Sequence, residues 1–308
     1  MATTSPQQTS AAIAPRHPLR MHPRFETLKQ SAYEWYAGWK GDSFIAQGGG
    51  DSDIVMTGLL AAYICPDGSF DKVRAMVIYC AFLSAFDREV DGAEDLKRAS
   101  HLCSTFMGII DGKDPEDKRF SPLTSLWCRN DWTHDQRQAF RRGARRYIEN
   151  VEILVEAELY QKALSFEDYI AIRQCDVGFD HLFSLILYAC GHDHFWERYE
   201  SFSSAYEYLG KYIGVSSDLK LFKGGRQQKK SHMNAVEILH TSNGCSYNEA
   251  MDLVAQKAVL YEQKLEDELT LLEREFPEIV ARFKYAISGT MYWMDYVRQS
   301  RYLQMSGN

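Results

Sequence analysis

Apolar residues recur at three- and four-residue spacing along most of the chain, and few segments alternate with period two. That pattern predicts helices rather than strands. The predicted helices are Phe25–Gly38, Ile54–Ile64, Phe70–Val90, Leu96–Asp111, Ser121–Cys128, Asp135–Ala163, Phe166–Cys190, His194–Leu221, Met233–Thr241, Tyr247–Phe276 and Pro277–Gln304. Two of them carry capping-box starts. Ser165 precedes Phe166-Glu167-Asp168, and Ser246 precedes Tyr247-Asn248-Glu249, so each serine can accept from the third helical N–H. The longest apolar run, near Val73–Phe86, is too short and interrupted to span a bilayer. Prolines fall mostly in the tail and between helices, no Gly/Ser-rich linker divides the chain, and no repeat is visible. The expected fold is all-α, a single domain over residues 25–308 with its helices around one apolar space, preceded by a disordered tail over 1–24.

Composition narrows the partners. With 308 residues and 45% hydrophobic content the chain can bury one large core. A net charge of -7 argues against a nucleic-acid partner, which needs a basic footprint. The seven cysteines are odd in number and show no CxxC pairing, which suggests free thiols in a reducing, cytoplasmic setting. The tail lacks an apolar h-region, so no secretory signal is expected, although its missing acids and Arg16 and Arg20 leave a transit peptide open. Gly48-Gly49-Gly50 lacks the Lys-Ser/Thr of a phosphate loop. Cys190 with His192 and His194 has no common zinc spacing. A homodimer is left open.

Chemistry concentrates where an apolar helix turns acidic. Ala75 to Phe86 is almost entirely apolar and is followed by Asp87-Arg88-Glu89-Val90-Asp91. Asp87 and Asp91 are four residues apart and share a helix face. Two carboxylates at the mouth of an apolar space suit a hard cation such as Mg²⁺; the plainer alternative is a solvated helix end. Further on, Arg173 offers a planar fork for phosphate oxygens. Gly178 weakens the same predicted helix by about 1 kcal/mol relative to alanine, enough to free a backbone carbonyl. The alternative there is a surface arginine with an incidental glycine.

Taken together, these segments resemble the class I terpene synthases over roughly residues 55–305. The stretch from Leu59 through Tyr63-Ile64-Cys65-Pro66-Asp67 to Phe86-Asp87 is similar to the family's turn before its aspartate-rich helix. The family motif Asp-Asp-x-x-Asp corresponds to Asp87-Arg88-Glu89-Val90-Asp91, with arginine in place of the second acid. Phe166 to Phe179 resembles the helix whose arginine senses the diphosphate. The resemblance implies Arg173 as that sensor, with Asp176, Val177, Gly178 and Phe179 forming the break that turns a carbonyl toward the substrate.

The family's second metal motif, Asn/Asp-Asp-x-x-Ser/Thr-x-x-x-Glu, corresponds to Ser217-Asp218-Leu219-Lys220-Leu221-Phe222-Lys223-Gly224-Gly225. Only Asp218 is clearly retained, and Ser217 would be a weak neutral ligand. Registration is supported downstream by Asn234-Ala235-Val236 and by Ser246 through Glu249-Ala250. Basic residues nearby, Lys220, Lys223, Arg226, Lys229 and Lys230, are candidates to replace lost positive charge around the diphosphate. At the end of the chain, Trp293 and Arg301-Tyr302 resemble the closing helix, which implies a cavity-facing aromatic and a diphosphate-binding pair.

The resemblance implies Mg²⁺-dependent ionisation and cyclisation of an acyclic prenyl diphosphate. The expected metal ligands are Asp87, Asp91, Ser217 and Asp218. Tyr79, Phe82, Phe179, Tyr292 and Trp293 are candidates to stabilise the cation. Farnesyl diphosphate and a sesquiterpene product, with humulene-like macrocycles in range, fit the chain's size. Geranylgeranyl diphosphate and a diterpene form one alternative, and a non-catalytic prenyl-binding protein on the same fold is another.

Overall fold

The structure is a computed structural model that describes residues 17, 19–40, 52–115, 117–192, 200–224 and 233–305, without the side chains of 40, 52–53, 223–224 and 296–305. Helices follow one another along the chain: α1 Phe25–Lys40, α2 Ser52–Gly58, α3 Leu60–Ile64, α4 Phe70–Asp91 and α5 Leu96–Ile110. A 3₁₀ turn at Lys118–Phe120 leads into α6 Ser121–Trp127, then α7 His134–Leu159, α8 Phe166–Asp176 and α9 Phe179–Cys190. The remainder is α10 Ser203–Gly224, α11 Ala235–Asn243, α12 Tyr247–Glu273 and α13 Pro277–Met305. No strand occurs among the described residues, as the spacing of apolar positions predicts.

Local chemistry sets many of the helix ends. Ser246 accepts from the Glu249 N–H while Glu249 accepts from the Ser246 N–H at 2.8 Å, a complete capping box. Thr133 and Gln136 form another at the start of α7. Ser165 accepts from the Asp168 N–H and donates its hydroxyl to the Asp168 carboxylate at 2.7 Å. Ser165 thus caps α8 as predicted, but the predicted box is incomplete, because Asp168 accepts the serine hydroxyl and not its backbone N–H.

Two predicted helices are interrupted. The segment expected as Ile54–Ile64 divides at Leu59 into α2 and α3. The segment expected as Phe166–Cys190 divides at Gly178, whose φ of 71° places it in the left-handed region. Glycine takes that conformation without the penalty of about 1–2 kcal/mol that a Cβ imposes.

Helix α9 is the centre of the bundle. Leu182, Phe183, Leu185, Ile186 and Leu187 are all buried, as are His181 and Ser184, so it is enclosed on nearly every side. It lies along α7 and also meets α4, α10 and α13. Close approach depends on missing side chains. A Cβ on Gly143 of α7 would stand 2.6 Å from the His181 backbone nitrogen. A Cβ on Gly210 of α10 would stand 2.4 Å from the Gln174 carbonyl oxygen of α8. Both obstacles are backbone and cannot swing aside. No described helix is long and apolar enough to cross a membrane.

Gly210→Ala is therefore expected to lower unfolding free energy by about 1–3 kcal/mol, the range for overpacking a close contact. Urea denaturation checks this. A variant as stable as the parent would mean that α8 and α10 do not meet through backbone here.

Candidate functional site

The break between α8 and α9 organises the site. Its backbone hydrogen bonds stop at the Cys175 carbonyl, which accepts from Gly178 at 3.0 Å, and resume at the Gly178 carbonyl, which accepts from Leu182 at 3.1 Å. The Asp176 and Val177 carbonyls lie between these two points. Phe179, the first residue of α9, is buried at 3% exposure.

Arg173 lies one turn before the break, between two carboxylates. Its Nη1 donates to Asp176, and its Nε donates to Asp218 Oδ1 at 3.2 Å. Asp218 is 2% exposed. It also accepts from the Tyr169 hydroxyl at 2.6 Å and from the Ala235 N–H at 3.0 Å. Burial alone would favour a neutral guanidinium, but the charges of Asp218 and Asp176 hold the Arg173 pKa well above its usual value. Nη2 also lies 3.2 Å from Asp218 Oδ1, so all three guanidinium nitrogens face a carboxylate, although each Nη carries a second N–H.

Asp87 and Asp91 close the C-terminal end of α4. Tyr147 of α7 donates its hydroxyl to Asp87 Oδ1. Burial, and then the charge of Asp91, push the Asp87 pKa well up, against the Tyr147 hydrogen bond and the attraction of Arg173. Asp91 is exposed at the helix end, yet partial loss of hydration and the neighbouring Asp176 raise its carboxyl to about 6. Asp176 is likewise raised, by burial above all, with Arg173 pulling it down. Asp87, Asp91, Asp176 and Arg173 therefore share one field, in which negative groups outnumber positive ones.

Aromatic rings pack along α4 before it reaches Asp87. Tyr79 meets Phe140 and His181 edge-on at centroid distances of 5.7 and 5.9 Å. Phe82, Phe86, Phe106 and Phe120 form an adjoining cluster. His181 is fully buried, neither ring nitrogen has a hydrogen-bond partner, and burial lowers its pKa to about 3. Tyr147 and His181 did not stand out in the sequence. Both sit at helix positions that read as ordinary core, and only the fold brings them to Asp87 and to the break.

The other predicted residues are placed as follows. Ser217 is half-buried on α10, next to Asp218. The Asp218 carboxylate is occupied by Tyr169, Arg173 and Ala235. The Lys220 ammonium pairs with Asp295 at 2.8 Å and donates to the Met291 carbonyl at 3.2 Å, tying α10 to α13. The Trp293 indole donates to the Met56 carbonyl at 2.6 Å and packs with Met56, Leu59 and Tyr63. Tyr292 is 40% exposed and lies 5.2 Å from the Tyr63 ring. The side chains of Lys223, Arg301 and Tyr302 and the residues Arg226, Lys229 and Lys230 lie outside the described residues.

Among the described residues no group of three His, Cys, Asp or Glu side chains is close enough to enclose a metal by itself. The donor set nevertheless fits Mg²⁺, which takes one or two carboxylates and completes its shell with water and substrate phosphates. Asp87 and Asp91 offer that pair; burial raises both carboxyls first, and the repulsion that adds to it, from Asp91 at Asp87 and from Asp176 at Asp91, is the part that a cation would relieve.

The family model described as "Terpene synthase family 2, C-terminal metal binding" matches residues 79–259, which include every group of this site from Asp87 to Asp218. Solved structures with the same fold include a cucumene synthase variant, 16% identical, covering 92% of this chain and 97% of that one at a TM-score of 0.73. Hedycaryol synthase in complex with HEPES is 20% identical, covering 92% and 97% at a TM-score of 0.74. An α-eudesmol synthase is 13% identical, covering 92% and 96% at a TM-score of 0.73. No curated protein sequence matches the chain.

Two outcomes follow from this geometry. Asp218→Ala leaves the Arg173 guanidinium short of a buried counter-charge, and stability in urea should fall by roughly 3–5 kcal/mol. The acidic end gives a pH signature. A carboxyl whose folded pKa is raised stabilises the fold while protonated, and that contribution is lost as pH rises through the folded value, about 6 for Asp91. A divalent cation replaces the lost proton, so Mg²⁺ should raise the melting temperature more at pH 7.5 than at pH 5. An equal shift at both pH values, or one that survives Asp87→Asn with Asp91→Asn, would place the cation elsewhere.

Proposed function

The chain belongs to the terpene synthase family and is a class I terpene cyclase, and we propose that it ionises farnesyl diphosphate and cyclises it to a sesquiterpene. The observation that carries this reading is the meeting of Arg173, the α8–α9 break and the Asp87–Asp91 helix end in one electrostatic field. The C15 substrate is favoured by the structural neighbours, cucumene, hedycaryol and α-eudesmol synthases, which are sesquiterpene synthases.

Ionisation breaks the bond between the first allylic carbon and a diphosphate oxygen, and the bonding electrons leave with the diphosphate. Asp87 and Asp91 are the residues that would hold a divalent cation, which would supply Lewis-acid neutralisation of that leaving group. Arg173 presents its remaining N–H groups to the diphosphate oxygens in the fork geometry that suits them. Asp218 and Tyr169 hold the guanidinium in place, so little reorientation is needed as charge develops. In this reading Asp218 positions Arg173 and does not coordinate metal, because its carboxylate is already taken up.

The allylic cation left behind has to be kept from water and given negative surfaces to lean on. The Asp176 and Val177 carbonyls at the break offer negative dipoles, and Tyr79 and Phe179 are the candidates to offer ring faces. Ser217 keeps the weak ligand role that the resemblance implies. Lys223, Arg226, Lys230, Arg301 and Tyr302 keep their implied roles as further diphosphate contacts.

Incubation with farnesyl diphosphate and Mg²⁺, followed by gas chromatography and mass spectrometry, is expected to yield a cyclic C15 hydrocarbon or alcohol. Asp87→Ala and Arg173→Ala should each lower kcat/KM by 10²-fold or more, the loss usual for a preorganised electrostatic group. A C20 product from geranylgeranyl diphosphate would correct the chain length. A folded protein that gives no product from either substrate would support prenyl binding without turnover instead.

A further inference from the structure

Asp87 stands without the acidic neighbour that the aspartate-rich motif usually supplies, because position 88 is an exposed arginine. The Asp87 carboxylate has a partner on α7, Tyr147. Its hydroxyl donates to Asp87 Oδ1, which leaves Oδ2 with its lone pairs uncommitted by this bond.

The placement of Tyr147 is rigid. The residue is 3% exposed. Its ring lies 5.0 Å from the His181 ring and 6.3 Å from the Phe106 ring. The third side is the break itself, since a Cβ on Gly178 would stand 2.9 Å from His181 Cε1 and 3.7 Å from Tyr147 Cδ2. One side chain therefore touches the end of α4, the residue that opens α9 and the ring beside it. A tyrosine wedged in this way cannot move its hydroxyl without moving either the break or the neighbouring rings.

Resting on the reading of Asp87 as a metal ligand, we infer that Tyr147 is the positioning residue that holds the Asp87 carboxylate in its metal-binding orientation and fixes that carboxylate relative to the α8–α9 break. It touches neither metal nor substrate. Its action is that of the outer partners of metal ligands, whose loss lowers metal affinity by roughly 10–100-fold.

Mn²⁺ serves as a spin probe for the site. Apo-protein titrated with Mn²⁺ in the presence of inorganic diphosphate and followed by electron paramagnetic resonance should show about ten-fold or greater weakening in Tyr147→Phe, with circular dichroism unchanged. In an Asp87→Ala background the same substitution should add nothing. Phe106→Leu loosens the ring packing but keeps the hydroxyl, and should bind Mn²⁺ within about two-fold of the parent. If Tyr147→Phe does not fold, Tyr147→Met, which also lacks the hydroxyl, goes through the same cycle with Asp87→Ala and is expected to show the same loss. Equal Mn²⁺ affinity in parent and Tyr147→Phe overturns the inference, as does an equal loss in Phe106→Leu. A parent that binds no Mn²⁺ with diphosphate overturns the underlying reading of Asp87, which is a different result.

Discussion

A guanidinium held between two carboxylates is the interaction on which the site depends. Arg173 reaches Asp176 on its own helix and Asp218 on α10, and Asp218 in turn takes the Tyr169 hydroxyl and the Ala235 N–H. Four segments converge on this arrangement: the middle of α8, its last turn, α10 and the start of α11. An isolated ion at this depth would lose far more in hydration than a single partner returns. The surrounding hydrogen bonds make the pair tolerable, and they also fix where α8 can end. The break at Gly178 is thereby held at a set distance from α10 and from the acidic end of α4.

The acidic end has the opposite character. Burial raises Asp87, Asp91 and Asp176, neighbouring carboxylates add to the rise, and Arg173 opposes it at all three, with the Tyr147 hydroxyl also opposing it at Asp87. Negative charge is therefore crowded at this end of the molecule. That imbalance lowers stability above about pH 6 and at the same time favours an incoming cation. Carboxylates that were already neutralised would have little to gain from one. The two halves of the site thus differ in readiness, since the arginine half is complete before anything binds and the aspartate half is not.

Much of the fold is legible because helix formation here is locally encoded. Apolar positions at three- and four-residue spacing predict the helices, and the serines at 165 and 246 mark two of their starts. The break at Gly178 is also visible in the sequence, because a glycine inside an apolar helical run is costly unless the backbone uses it. Asp87, Asp91 and Arg173 are visible as charges at the edges of apolar helices. The division of the Ile54–Ile64 segment at Leu59 is not visible, because residues on both sides fit one helical period.

The sequence by itself determined that the chain is helical, where most helices begin, and which charged residues stand at their ends. It did so through spacing and capping, which act over a single turn. Only the tertiary structure decided what those charges meet. Asp218 matches a metal motif in the sequence, yet in the fold its carboxylate is occupied by Tyr169, Arg173 and Ala235. Lys220 stands next to it in sequence, yet its ammonium is bound by Asp295 and the Met291 carbonyl on α13. Trp293 reads as a cavity aromatic, yet its indole donates to Met56. Tyr147 carries no signal at all until the fold brings its hydroxyl from α7 to Asp87 at the end of α4. In each case the partner is more than 40 residues away or on another helix, and side-chain direction at that range is set by how helices cross, which no local pattern records.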